Sequence, residues 1–243
     1  MSLIVNVQLS AFCNFRIEPN AENITSLMEK INMLNIKEFL PNITSGQNID
    51  LIKGIMQPVS NLGFVTSDKT GQIVCQDNRI DCLFNYNIDN QCELYESIDA
   101  LKKIILIMLK DFEILANRLA LNVNILSDPY KGNLKETPFG QNIVSSLNFY
   151  KDKELNECSI RENVRYSIDI LSKKEIINVI TELSKLISNP VDENRILCHI
   201  DINTIPENTG FRFNYEKMDC FVEKVKEIAN DIKTNFEELG IHA

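Results

Sequence analysis

Residues 63–84 read GFVTSDKTGQIVCQDNRIDCLF, and this stretch decides the fold class. Gly63 to Ser67 is β-prone, Asp68-Lys69-Thr70-Gly71 is a turn, and Gln72 to Gln76 returns. Asp77-Asn78 turns again into a third β-prone run from Arg79 to Tyr86. Short β-prone runs separated by Gly, Asn and Asp are the mark of hairpins, so Leu62 to Tyr86 is expected to be an antiparallel meander.

Upstream of the meander, Leu3, Val5, Val7 and Leu9 alternate with polar residues, the period of a strand. Ile24, Leu27, Met28, Ile31 and Leu34 recur at helical spacing behind the start signals Pro19 and Asn20. Pro41 to Pro58, with Gly46 and Gly54, reads as a long connection with at most one short element. Downstream, Ser97 to Ala116 reads as a helix apolar nearly all round its middle, so it should be buried on more than one side. Asn117 to Leu126 is the next strand.

Ser127 to Gln141 contains Pro129, Gly132, Pro138 and Gly140 and divides the chain. Beyond it, strands fit Ile143 to Tyr150 and Arg161 to Leu171. Ser172-Lys173-Lys174-Glu175 is a capping-box sequence, opening a helix with Ile176, Ile180, Leu183 and Ile187 on one face. Arg195 to Ile205 is a strand, and Tyr215 to Leu239 a closing helix with Phe221, Val225, Ile228, Ile232 and Leu239 in one stripe. The Asn-Arg pairs at 117–118 and 194–195 each introduce an alternating strand, and each is preceded by a strand and a helical pattern. The expectation is therefore an α+β protein of mostly antiparallel sheets with helices packed on one face. Its two strand–helix–strand halves would be residues 1–126 and 143–243, joined by a loop over 127–142, or fused in one continuous domain.

Composition narrows the function classes. At 243 residues, with 44% hydrophobic and 24% charged side chains, the chain can build a core without staples. A net charge of −9, from 25 basic and 34 acidic groups, disfavours non-specific nucleic-acid binding. The acidic residues are interspersed with Lys, as on solvated helix faces. Seven cysteines without a C-x-x-C pair fit neither a disulfide scaffold nor a zinc ribbon. Cys13, Cys75, Cys82 and Cys198 lie in apolar stretches and read as small buried hydrophobes. The longest apolar run, Ile104 to Leu109, is far short of the about 20 residues a bilayer requires, and the amino terminus lacks a signal-peptide pattern. These features predict a soluble, cytoplasmic protein with reduced thiols and no metal.

Catalytic signatures are sparse. Of two histidines, His242 is penultimate, and His199 is a mid-strand residue whose side chain points away from that of Cys198. Asp81, Asp169 and Asp201 lie on expected strands and would form a carboxylate or metal site only if the two halves brought them together. The glycines form no phosphate loop. The aromatic pairs Phe84/Tyr86 and Phe211/Phe213 lack the basic density of RNA-binding sheets. Tyr130, Lys131, Lys135 and Phe139 give the dividing loop the aromatic and basic groups suited to a protein partner, with a plain tether as the alternative role.

The order of blocks (the β-prone amino terminus and its helix, residues 63–84, RLALNVNI over 118–125, ILCHIDINT over 196–204, and a closing helix over 221–241) resembles a sporadically distributed, largely uncharacterised family of bacterial proteins. Some members of that family sit beside a peptidase-like toxin in Rosmer-type antiphage systems. The resemblance rests on pattern and carries over no site residues. It implies an antitoxin-like or regulatory binding role, and with the missing catalytic, metal and phosphate-loop motifs the expectation is a non-enzymatic antitoxin-, immunity- or regulatory-type protein that binds another protein and needs no cofactor. The residues by themselves leave two other readings: an enzyme or small-molecule binder with a carboxylate-lined site between the halves, and a homo-oligomeric subunit.

Overall fold

A computed structural model describes residues 2–50, 55–130, 134, 140–141, 158–185 and 194–239. Among these, three helices pack on one antiparallel sheet of ten strands. The strands are β1 (Leu3–Cys13), β2 (Phe39–Pro41), β3 (Thr44–Asp50), β4 (Ile55–Thr66), β5 (Gly71–Gln76), β6 (Arg79–Asn85), β7 (Ala116–Leu126), β8 (Ser159–Ile170), β9 (Lys173–Lys185) and β10 (Ile196–Thr204). The helices are α1 (Ala21–Asn32), α2 (Leu94–Asp111) and α3 (Tyr215–Glu238). The spatial order is β2-β4-β5-β6-β1-β7-β10-β9-β8, with β3 also paired to β4. The sheet therefore crosses between the two expected halves where β7 meets β10, Val123 facing Ile200.

Alternation sorts the side chains onto two faces. On one face Val7, Leu9 and Ala11 line up with Phe84, Cys82 and Ile80 on one side, and with Val123, Leu121 and Leu119 on the other. All are buried. A register shift between Ile4 and Asn6 brings Ile4, three residues before Val7, onto this same buried face. A simple alternation through Leu3 and Val5 would not have done so. α2 covers the centre with Ile98, Leu101, Ile105 and Met108, and Ile104 and Leu109 widen its buried stripe. α3 adds Met218, Phe221, Val222 and Val225. The two helices are clamped by ions: Lys102 Nζ reaches Asp219 at 3.1 Å and also Glu223, while Lys226 Nζ lies 2.9 Å from both Asp99 and Glu223.

The meander, α1 and the closing helix lie where the pattern placed them. α1 is capped by Asn20, whose side chain accepts from the Asn23 amide. Two expectations fail. Residues 173–185 are not a helix but strand β9, paired to both β8 and β10. Ile176, Ile177, Val179, Ile180 and Thr181 are all β-branched, which stiffens χ1 and favours the pleated surface over the helix. Of the capping-box residues, Ser172 instead sits in a two-residue hairpin turn with Leu171 (φ 66° and 46°), and Lys173 to Glu175 open β9. The second half is thus not a strand–helix–strand repeat of the first. Likewise, much of 41–58 is not loop but the β3–β4 hairpin, whose polar composition hid it. The expected strand at Ile143–Tyr150 lies outside the described residues.

Candidate interaction surface

The same alternation that fills the core lays polar side chains across the opposite sheet face, on which no described helix packs. They form three connected groups. Asp81 Oδ1 accepts from Ser10 Oγ at 2.6 Å, Arg79 Nε at 2.7 Å and Gln8 Nε2 at 2.9 Å. Asn124 donates to Asn6 Oδ1 at 2.9 Å, and its own Oδ1 lies 2.7 Å from His199 Nδ1. Arg165 Nε donates to Asn178 Oδ1 at 2.6 Å, Asn178 donates to Asn203 at 3.2 Å, and Asn203 to Asp201 at 2.9 Å. Ser10, Asn178 and Asn203 are buried. Buried polar groups of this kind hold their geometry because each is satisfied.

At one end of this face Phe12 sits between two arginines. The Arg79 guanidinium carbon is 4.8 Å, and that of Arg118 5.0 Å, from the Phe12 ring centroid. Arg79 is committed to Asp81. Among the described residues the Arg118 guanidinium has neither a hydrogen bond nor an ion pair, and its Nε is buried. None of Phe12, Arg79 and Arg118 was singled out by motif. Their signal was the polar alternation of two strands that turn out to be central, Asn6-x-Gln8-x-Ser10 and Asn122-x-Asn124.

The three strand aspartates do share this face, yet they do not converge. Asp81 pairs with Ser10, Ser10 with Ala120, and Ala120 with Asn203. Asp201 therefore lies three strand spacings away, about 14 Å at the usual ~4.8 Å per strand. Asp169 sits on the outermost strand opposite Lys174. Among the described residues no three His, Cys, Asp or Glu side chains cluster as metal ligands. His199 points away from Cys198, as expected, and its partner is an amide rather than a nucleophile.

The thiols are poor nucleophiles where they are buried. Burial pushes Cys13, Cys75 and Cys198 up to about 12, and raises Cys82 well above its ordinary value. Cys92 is the half-exposed thiol beside a cavity of about 350 Å³ lined by Ser2, Gln91, Glu93, Glu96 and Lys233. Its Sγ lies 3.4 Å from Ser97 Oγ and 3.6 Å from Glu96 Oε2, with no imidazole among these partners. Because a raised pKa leaves the reactive thiolate scarce at pH 8, brief alkylation of native protein is expected to label the partly exposed Cys92 and Cys220 first, and Cys158, whose thiol burial also pushes up, more slowly. Cys13, Cys75, Cys82 and Cys198 should label only in denaturant, as peptide mass spectrometry will show.

The dividing loop does not present Tyr130 to a partner. Tyr130 is 2% exposed and belongs to the hydrophobic core. Its amide donates to Asn194 O at 2.8 Å, tying the loop's start to the approach of β10. An aromatic ring beside the sheet gains more from burial than a loop gains from displaying it. Lys131, Lys135 and Phe139 lie outside the described residues. No described helix is long and apolar enough to cross a membrane. No protein-family model matches the chain, and no curated protein sequence matches it.

Proposed function

We propose that this chain is a non-enzymatic interaction or regulatory protein that docks another protein on the polar face of its sheet. The observation that carries this reading is the Phe12 platform with its uncommitted Arg118. Arginine and aromatic side chains are the groups most enriched at energetic centres of interfaces. A guanidinium fixed over a ring, with its fork unoccupied, suits a carboxylate of the partner. The neighbouring amides and hydroxyls are already held by one another, so docking would demand little reordering. The family resemblance adds an antitoxin- or immunity-like role in a bacterial cytoplasm, in which the partner would be a toxin-type protein.

The test is affinity purification from the native host with wild type and Arg118→Gln side by side. The variant is expected to keep its fold and to bind the co-purifying protein at least about tenfold more weakly, the loss typical of a hot-spot arginine. A partner retained at wild-type strength would remove this face from consideration. The second reading, an enzyme or small-molecule binder, has the cavity beside Glu93 and Glu96 as its best location.

A further inference from the structure

β8 ends the sheet, and its free side is unusually open. Every residue from Arg161 to Ser167 is exposed, including Val164 at 54% and Tyr166 at 41%. Among the described residues its outer edge carries one weak contact, from Cys220 Sγ to the Asp169 carbonyl at 3.9 Å, and no strand, so its row of backbone donors and acceptors invites another strand. Some of the usual means of blunting such an edge are missing, although the strand carries the charges Arg161, Glu162, Arg165 and Asp169. β8 contains no proline and no lysine, and its register with β9 runs unbroken from Ser159 to Ile170, so no bulge twists it away. At about 3.4 Å per residue it offers roughly 40 Å of straight edge.

We propose that a second copy of this chain adds antiparallel along β8, so that the two sheets become one across a twofold axis at Arg165. Keeping the helices of both copies on one face requires opposed residues to share parity, so the axis must pass through a residue. With the axis at Arg165, Arg161 opposes Asp169 of the other copy, twice by symmetry. Val164 opposes Tyr166, also twice, on the helix face. Aromatic–β-branched and opposite-charge pairs are the favourable cross-strand combinations.

Arg161 and Asp169 are both exposed, and among the described residues neither has an ion pair within its own chain. The one like-charge contact, Arg165 on the axis, is mitigated because each Arg165 is already held by Glu207 at 3.1 Å and Asn178 at 2.6 Å. Moving the axis to Val164 loses the Arg161–Asp169 pairs, setting Asp169 against Ser159. Moving it to Tyr166 loses them too, setting Asp169 against Asn163. The interface is separate from the Arg118 platform.

Sedimentation velocity decides the matter. Wild type is expected to sediment at twice the 27.8 kDa chain mass. Arg161→Asp and Asp169→Arg should each weaken the dimer at least tenfold by creating two like-charge pairs, and the double reversal R161D/D169R should restore it. The outer edge is exposed in the monomer, so thermal melts of all three at low concentration should match wild type. A wild type of single-chain mass at roughly 100 µM, where even a weak specific dimer is populated, overturns the proposal. So does a dimer indifferent to both single reversals, and so does a double variant that stays monomeric.

Discussion

Ile105→Asp should leave the chain unable to hold its native structure. Ile105 lies on α2 with no exposed surface, and α2 packs at once on β1, β6, α1 and α3. An aspartate there would place a carboxylate in the buried stripe, where the neighbouring Lys102, one turn back, is already bound to Asp219 and Glu223. A buried unpaired charge costs far more than the lost side-chain contacts. The loss should exceed ~4–5 kcal/mol, the tail of measured single-residue effects, and domains of this kind have only ~5–15 kcal/mol in all. Equilibrium urea unfolding and soluble yield measure it. Leu106→Asp is the control. Leu106 is only half-buried against the core, so its aspartate can reach water and the effect should be smaller. Equal losses at the two positions would mean that α2 is buried evenly all round.

Arg212→Ala is expected to cost about 3–5 kcal/mol, the usual penalty for removing one partner of a buried ion pair. Arg212 is the tie that closes the segment between β10 and α3. Its guanidinium forks onto Glu175, with Nε 3.1 Å from Oε2 and Nη2 bonded to Oε1. Nη1 donates to the carbonyls of Asn117 at 2.5 Å, Gly210 at 2.9 Å and Asn208 at 3.0 Å. The side chains of Arg212 and Glu175 are only 19% and 11% exposed, so alanine would strand a carboxylate and the half-buried Asn117 carbonyl, whereas those of Asn208 and Gly210 lie at the surface. Lysine should recover only part of the loss, since a point charge cannot serve the fork and the carbonyls together. Adding Glu175→Gln to Arg212→Ala should recover more, because the stranded charge is then gone. Urea midpoints of the four proteins test this. If Glu175→Gln brings no recovery, the arginine acts through the carbonyls alone.

Much of the fold was legible because its elements carry one period each. The meander is cut by Asp-Lys-Thr-Gly and Asp-Asn, and α3 has a single clean stripe. The segment 173–185 was ambiguous because apolar residues at 176, 180 and 183 satisfy a helix while those at 177, 179 and 183, with the β-branched Thr181 between, satisfy a strand. Local pattern weighs the two about equally; β10 and β8, hydrogen-bonding it on both sides, decide. Tyr130 was misassigned for the same reason. A tyrosine between proline and lysine reads as surface until the sheet supplies the apolar wall it packs on.

The sequence by itself determined the class of protein: α+β, antiparallel, acidic, with apolar cysteines and no catalytic motif, since composition and local period are properties of the chain alone. Only the tertiary structure decided that one sheet spans both halves, that Asp81, Asp169 and Asp201 stay apart, and that Phe12, Arg79 and Arg118 meet. Those outcomes depend on which strands become neighbours and in what register. Long-range pairing is set by the sum of many weak cross-strand contacts, none of which is written in any one segment.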